Sequence, residues 1–404
     1  MSVPGALSAL LGALDGAGVA WTLLRPRASL AEPAGDVDVL VAPGDVGHVR
    51  ALGEAEGFLA VPVPGPDLHL ACHDAAAGRF VWVHVQDALR IAGGALPAAA
   101  VLAGAVRDGE GGAPEPAGDV LLWILLLRAL VDKGTLPERH REAVRRLAAA
   151  WGGGPPELLA LARRHGIAPD AAVAAAADGD WADLLALAVH RPAPPRRLPA
   201  RLAAIAADLR RGRAAWGITV AVLGPDGAGK TTLAEGLAAS LPLPTRIQYM
   251  GLTGGNLPRA DRLRVPGLVF AARVAILWSR WLRGAFFRAR GRIVLFDRYV
   301  LDGAVPSGMQ LTPAGKLSRR AQRWAVPAPD LAVVLDASGA TMHARKGEYD
   351  PAVLERWRAA YARLRARGDG LVVLDAEQPV ERVRAQAEAA VWRRYAELRH
   401  RRAA

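Results

Sequence analysis

Residues 224–231 read Gly-Pro-Asp-Gly-Ala-Gly-Lys-Thr. They match the phosphate-loop pattern G-x-x-x-x-G-K-[ST] at every fixed position. The six residues before them, 218–223 (Ile-Thr-Val-Ala-Val-Leu), form an apolar, β-branched run. Residues 232–240 carry a helical pattern. Strand, glycine-rich turn and helix together are the context this loop requires. Glycines at 224, 227 and 229 let backbone amides turn inward around a phosphate chain, and the following helix aims its positive end at the same point. Lys230 is placed to neutralise β- and γ-phosphates, and the Thr231 hydroxyl to hold Mg²⁺. Lysine is rare here: only Lys133, Lys230, Lys316 and Lys346 occur, and one stands where the motif needs it.

Outward from the loop, apolar strand-like runs recur at 293–296, 331–335 and 371–374, with helical patterns between them. Alternation of strands and helices with continuous apolar runs predicts a parallel sheet covered by helices on both faces. Upstream, shorter β-like runs at 21–24, 37–41 and 80–85 precede apolar helical runs at 121–127 and 181–189. Residues 191–199 (RPAPPRRLP) read as a linker, and a helix is expected over 198–213. The division expected is an α+β domain over 1–118, a helical extension over 119–190, a linker and helix over 191–214, and an α/β domain over 215–404.

The chain has 404 residues, 52% hydrophobic and 22% charged, with one cysteine. This excludes a disordered chain, a disulfide scaffold and a cysteine-based metal cluster. No Lys or Arg precedes the first apolar stretch, which argues against a signal peptide. The run 120–127 is too short for a span, and 265–287 is interrupted by Arg273, Arg280 and Arg283. A cytoplasmic protein is expected. Residues 1–200 carry a net charge of −5 and residues 201–404 one of +17. The second half is therefore built to meet phosphates or another polyanion.

From about 216 to 396 the sequence resembles thymidylate kinase and related nucleoside-monophosphate kinases. The resemblance rests on the loop with its acid at Asp226, and on Val269-Phe-Ala-Ala-Arg-Val-Ala, which is similar to the helix whose arginine grips the acceptor phosphate. It rests also on Asp297-Arg298-Tyr299 after an apolar strand, and on Pro329-Asp330-Leu331 followed by Arg345-Lys346-x-Glu348, which is similar to a lid. It implies an ATP- and Mg²⁺-dependent kinase. Gly224, Asp226, Gly227, Gly229, Lys230, Thr231 and Thr232 would bind the nucleotide. Asp226, Arg273 and Arg298 would meet the acceptor, and Thr231 and Asp297 the Mg²⁺. Lys230, Asp297, Arg298, Arg345 and Lys346 would carry the chemistry. Adenine would lie near residues 376–380. After Asp-Arg-Tyr, the family's base-reading side chains are not matched, since Gly303 and Pro306 stand there. The pattern Asp297-Arg-Tyr-x-x-Asp302, with Pro306 soon after and Arg345-Lys346-x-Glu348 downstream, looks more like thymidylate-kinase-like proteins found with surface-polysaccharide synthesis genes.

Residues 35–41 (Gly-Asp-Val-Asp-Val-Leu-Val) put Asp36 and Asp38 two apart on a strand, hence on one face. Their surroundings resemble the nucleotidyltransferase fold, where two such aspartates bind Mg²⁺ and a third acid comes from a later strand. At 80–85 that acid is absent and Trp82 precedes Val83-His84. A solvated acidic edge is the alternative. His69, Cys72 and His73 match no standard zinc spacing.

The leading expectation is a small-molecule kinase fused to a nucleotidyltransferase-like domain, with a small phosphate acceptor as partner. A bifunctional kinase and nucleotidyltransferase in glycan synthesis is an alternative reading. A nucleic-acid-dependent ATPase and a non-catalytic ATP switch are the others, and no nucleic-acid-binding module supports the former. The helix over 267–290 has an arginine face and an apolar face. An active-site helix explains both, with a membrane surface or lipid-linked acceptor as the alternative. A homodimer is compatible with the sequence.

Overall fold

The computed structural model describes all residues except 1–2, 31–35, 64–65, 110–111, 190–216, 252–265, 305–320, 322–324, 363–369 and 404. The linker expected at 191–199, the helix expected over 198–213 and Pro306 lie outside the described residues. The chain divides into two units, Met1–Arg196 and Arg197–Ala404.

The second unit is built on five strands: β8 (Thr219–Leu223), β9 (Thr245–Tyr249), β10 (Ile293–Asp297), β11 (Leu331–Asp336) and β12 (Leu371–Asp375). Their order is β12-β11-β8-β10-β9, and every neighbouring pair is parallel. All five residues of β8 are buried, as a central strand covered on both faces demands. Alternate residues Ala221 and Leu223 pack with Leu277, Val294, Phe296 and Val334 on one side. Val220 and Val222, which point the other way, are equally buried.

Helices supply the cover. They are α9 (Lys230–Ser240), α10 (Pro266–Ala289), α11 (Gly339–Lys346), α12 (Pro351–Ala362) and α13 (Val380–Ala403). The chain runs from β8 to β9 on one side of it, and β11 on its other side is reached from β10, so a crevice opens at the carboxyl end of β8 where the strand order reverses. The expected parallel sheet is present. Strand β9 adds an edge that the sequence pattern did not suggest. It reads Thr-Arg-Ile-Gln-Tyr, with Arg246 and Ile247 exposed, and an edge strand half in water has no apolar run to announce it.

One carboxylate ties the start of this sheet together. Asp330, just before β11, accepts hydrogen bonds from the Thr219 amide and hydroxyl, both at 2.8 Å. It also pairs with Arg288 at the end of α10, at 2.9 Å. The acid of the Pro-Asp-Leu segment is thus a structural clasp.

The first unit holds a mixed sheet, β1 (Trp21–Leu23), β2 (Val37–Val41), β3 (Leu59–Val61), β4 (Leu68–Asp74) and β5 (Arg79–Gln86), in the order β1-β2-β5-β4-β3. Only β2 and β5 run parallel; the other pairs are antiparallel. Helices α1 (Gly5–Gly16) and α2 (Val46–Ala55) share its core through Leu7, Leu10, Leu14 and Val49. A hairpin, β6 (Ala88–Ile91) and β7 (Gly94–Pro97), and α3 (Ala98–Leu102) lead into a helical layer. That layer comprises α4 (Gly118–Leu127), a π-helical turn (Arg128–Lys133), α5 (Glu138–Ala149), α6 (Pro156–Arg164), α7 (Pro169–Asp178) and α8 (Trp181–Ala186). It has its own core around Leu122, Trp123, Leu126 and Val144. Among the described residues, no helix is long and apolar enough to cross a membrane.

Asp330→Ala removes a half-buried carboxylate from three donors, the Thr219 amide and hydroxyl and Arg288. It should cost about 2 kcal/mol, read as a lower denaturation midpoint for the second unit with nucleotide-independent secondary structure retained.

Candidate active site

The loop expected from sequence sits at the carboxyl end of β8, and α9 begins at Lys230. Gly224, Gly227 and Gly229 have φ of +146°, +87° and +94°. Two of them also have a neighbour at close range. A Cβ at Gly227 would stand 2.5 Å from the Met342 carbonyl oxygen, and one at Gly224 would stand 3.0 Å from that of Leu335. Helix α11 therefore presses directly on the phosphate loop, which ties the expected lid segment to it.

Lys230 is 7% exposed. Its Nζ donates to the Pro225 carbonyl at 2.7 Å and pairs with Asp226 at 3.4 Å. Burial and the nearby Arg298 push its pKa down, against the pull of Asp226. Burial alone would raise Asp226, but Lys230 and Arg298 hold it below the usual carboxylate range. Arg298 reaches Asp226 directly through Nη2. Burial works against the charge of Arg298 too, yet Asp226 and Asp302 outweigh it and its pKa rises.

Arg298 has φ +67°, a left-handed backbone uncommon for a side chain of its size. Its amide lies 3.3 Å from the Val222 carbonyl of β8. The strained turn swings the guanidinium from the end of β10 across to the loop. Such outliers gather where function needs a side chain aimed against its local preference.

Asp297, the last residue of β10, meets Thr231: the hydroxyl donates to Oδ2 at 3.3 Å. A hydroxyl and a carboxylate side by side beneath a phosphate loop are the oxygen donors that Mg²⁺ takes, with waters and phosphate completing its shell. The residues present fit that ion.

The two cations of the expected lid separate. Arg345 donates to the Ala376 carbonyl at 3.0 Å and so lies against the loop after β12. Lys346 pairs with Glu348 at 3.1 Å, and its charge lowers the pKa of Asp226. Arg273, half-buried on α10, stands two turns before Arg280, whose Nη1 donates to the Gly251 carbonyl at 2.6 Å. Arg280, Arg283, Ser279, Arg246, Gln248 and Tyr249 line a groove of about 530 Å³. On α10, Trp278, Leu282 and Phe286 are exposed.

Two residues join the site that were not assigned to it from sequence. Asp302 accepts from the Tyr299 amide at 3.0 Å and from the Tyr361 hydroxyl at 2.6 Å. Burial raises its pKa, and the charges of Lys230 and Arg298 pull the other way. Burial, then Asp302, also lifts the Tyr361 phenol well above its ordinary value. Asp302 was visible in the Asp-Arg-Tyr-x-x-Asp spacing. Tyr361 lies on α12, far along the chain, and carried no signal.

No family model matches the chain. A thymidylate kinase of Leifsonia xyli subsp. xyli (strain CTCB07) is 31% identical over 201 residues, spanning 42% of this chain and 92% of that protein. A thymidylate kinase of Xanthomonas campestris pv. campestris (strain B100) is 33% identical over 192 residues, 43% of this chain and 83% of that protein. The chain belongs to the thymidylate kinase family. Membership makes it a kinase-like, nucleotide-binding enzyme, and thymidylate kinases use ATP with Mg²⁺. Less than half of its length is accounted for in this way.

In the first unit, Asp36 is exposed and Asp38 is buried. The expected pair is not formed on one strand face: β2 starts at Val37, leaving Asp36 ahead of it, and side chains of the protein already surround Asp38. Arg25 Nη2 lies 3.0 Å away, Arg128 Nη1 2.8 Å and His84 Nδ1 2.9 Å. Burial by itself would raise the Asp38 pKa; Arg128, His84 and Arg25 together hold it far below the usual carboxylate range. In the β2–β5 register His84 stands opposite Asp38, so an imidazole occupies the position next to it. Two guanidinium groups repel a divalent cation. Among the described residues no group of three or more His, Cys, Asp and Glu is arranged to hold a metal. His69 and His73 fall on one face of β4 and Cys72 on the other. His69 stacks on His84 at 4.3 Å, and burial pushes the Cys72 thiol up to about 11.

His84 also reaches Asp67, at 3.0 Å through Nε2. Burial lowers its pKa, but the two carboxylates more than compensate and raise it. Its folded pKa thus exceeds the unfolded value of about 6.5. The stabilisation is complete below that pH and is lost as pH rises through the folded value. His84→Gln should flatten this alkaline slope in a calorimetric pH series. Asp38→Asn, which leaves Arg25 buried without its charge partner, should lower stability by about 3 kcal/mol. Gly227→Ala should weaken ATP binding in equilibrium titration at least tenfold, because Met342 blocks the added methyl group.

Proposed function

We propose that the second unit is an ATP- and Mg²⁺-dependent phosphotransferase of nucleoside-monophosphate-kinase type. Its acceptor is a small phosphorylated or hydroxyl compound. The observation that carries this is the meeting of Thr231 with Asp297, 3.3 Å apart, beneath a loop whose lysine is buried. Backbone amides of the loop wrap the β- and γ-phosphates, and Lys230 turns from Pro225 and Asp226 onto them. Gly224, Asp226, Gly227, Gly229 and Thr232 complete the nucleotide site. Thr231 and Asp297 hold Mg²⁺, which offsets charge on the transferring group. Arg298, aimed by its left-handed backbone, meets the acceptor or the moving phosphoryl. Lys346, whose charge already reaches Asp226, closes over the same group, and Arg345 lies beside the adenine region at 376–380.

The groove along β9 and α10 supports an anionic acceptor. Arg246, Arg280 and Arg283 line it, and Arg273 lies on the same helix as Arg280 and Arg283. Thymidylate is the acceptor that the relatives' names point to. For the first unit we infer a nucleotidyltransferase-like fold in which Arg25, Arg128 and His84 have replaced the metal, so that it is not a second transferase. A role beside surface-polysaccharide synthesis is supported by the sequence pattern Asp-Arg-Tyr-x-x-Asp with Pro306 after it and Arg345-Lys346-x-Glu348 downstream.

The test is a labelled-ATP screen of thymidylate, other nucleoside monophosphates, sugars and sugar phosphates. Wild type should phosphorylate one class, and Lys230→Ala should lose about 10²-fold or more in rate while remaining folded. A Lys230→Ala protein with full activity overturns the assignment.

A further inference from the structure

The first unit has a pocket that the kinase reading leaves unexplained. It is small, about 50 Å³, room for a few waters or one tetrahedral oxyanion. Its lining includes Arg25, Arg128, Lys133, Arg139 and His140, and its one carboxylate is Asp38.

Local structure explains how five donors converge. Arg25 follows β1. Arg128 and Lys133 open and close the π-helical turn. The i→i+5 repeat of a π-helix brings them nearly above one another, where an α-helix would set them apart. Gly134, at φ +67°, then ends the turn. Arg139 and His140 come from the first turn of α5.

The donors are short of acceptors. Arg25 and His140 are each 8% exposed. Arg25 Nε and His140 Nδ1 are sealed from water and have no hydrogen-bond partner. Arg139 Nε donates to His140 Nε2 at 3.3 Å. Burial and the surrounding Arg139, Arg25, Lys133 and Arg128 charges push the imidazole pKa down to about 4, so the ring is neutral at pH 7. With Nε2 accepting, the proton sits on Nδ1, which is then a donor with nothing to donate to. Asp38 cannot serve, because Arg25 Nη2, Arg128 and His84 already occupy its oxygens. Lys133 and Arg139 are exposed at the mouth, so an anion can enter from solvent.

We propose that this pocket binds a phosphate group, with Arg25, Arg128, Lys133, Arg139 and His140 as its donors. Forked guanidinium donors and a surplus of positive charge suit a tetrahedral dianion better than a planar carboxylate. The site lies wholly within the first unit and uses no metal. It is independent of the phosphate loop, whose failure or success as a kinase site leaves it untouched.

The experiment is calorimetric titration of the full chain carrying Lys230→Ala, so that the loop lysine no longer contributes. The probes are inorganic phosphate and ribose 5-phosphate. Saturable binding is expected, weakened at least tenfold by adding Lys133→Ala and Arg139→Ala. Both side chains are exposed, and an unchanged unfolding temperature checks that the fold survives. The His140 imidazole resonance should move on titration, and its pKa should rise as the bound anion offsets the cations. Tighter binding of ribose 5-phosphate assigns the site to a phosphorylated metabolite; equal binding assigns it to the free ion. Absent binding, binding unaltered by the paired substitutions, or an unmoved His140 resonance overturns the proposal.

Discussion

The constraint on which the second unit depends is the position of β8. It lies between β10 and β11, fully buried, with its carboxyl end at the point where the strand order reverses. Whatever follows it emerges into a crevice rather than against another strand. A turn there needs backbone amides free to face inward, hence glycines at positive φ. The neighbours then close in: β11 presents the Leu335 carbonyl to Gly224, and α11 presents the Met342 carbonyl to Gly227. The loop's sequence and the sheet's topology are therefore one requirement expressed twice.

Charge follows from that geometry. Lys230 is buried by the loop it belongs to, which disfavours its charge, and Asp226 and Arg298 settle the balance around it. Arg298 gets there only through a left-handed backbone. Asp302 and Tyr361 add a second layer behind these groups and join α12 to the strand-end turn. The site is a chain of paired charges that an incoming phosphate can rearrange without leaving any of them in apolar surroundings.

The first unit solves a related electrostatic problem differently. Asp38 is a buried carboxylate on a central strand, and such a group needs a counter-charge. Arginines from the β1 end and the π-helical turn supply it, with His84 from the parallel neighbour. The consequence is a surplus of donors on the far side of those arginines. Charge asymmetry between the two halves of the chain hides this, since the net-negative half contains a strongly positive cavity.

The loop, its Lys230 and Thr231, and four of the five strands of the parallel sheet were legible in the sequence, because each rests on local pattern: apolar runs, glycine spacing, a rare lysine at a required position. The Asp-Arg-Tyr turn was legible as a motif, though not the backbone strain that aims Arg298. Strand β9 was not legible, since an edge strand half in water has no apolar run. Tyr361 was not legible, because only packing of α12 brings it to Asp302. The carboxylate pair Asp36 and Asp38 shows the limit most clearly. Two acids in an apparent strand suggest where charge sits, but the strand begins at Val37 and buries Asp38 alone, and whether a cation of metal or of protein balances it is decided by residues 13 and 90 positions away. Sequence determined the chemistry each segment offers; tertiary structure decided which segments answer one another, because charges compensate through space and not along the chain.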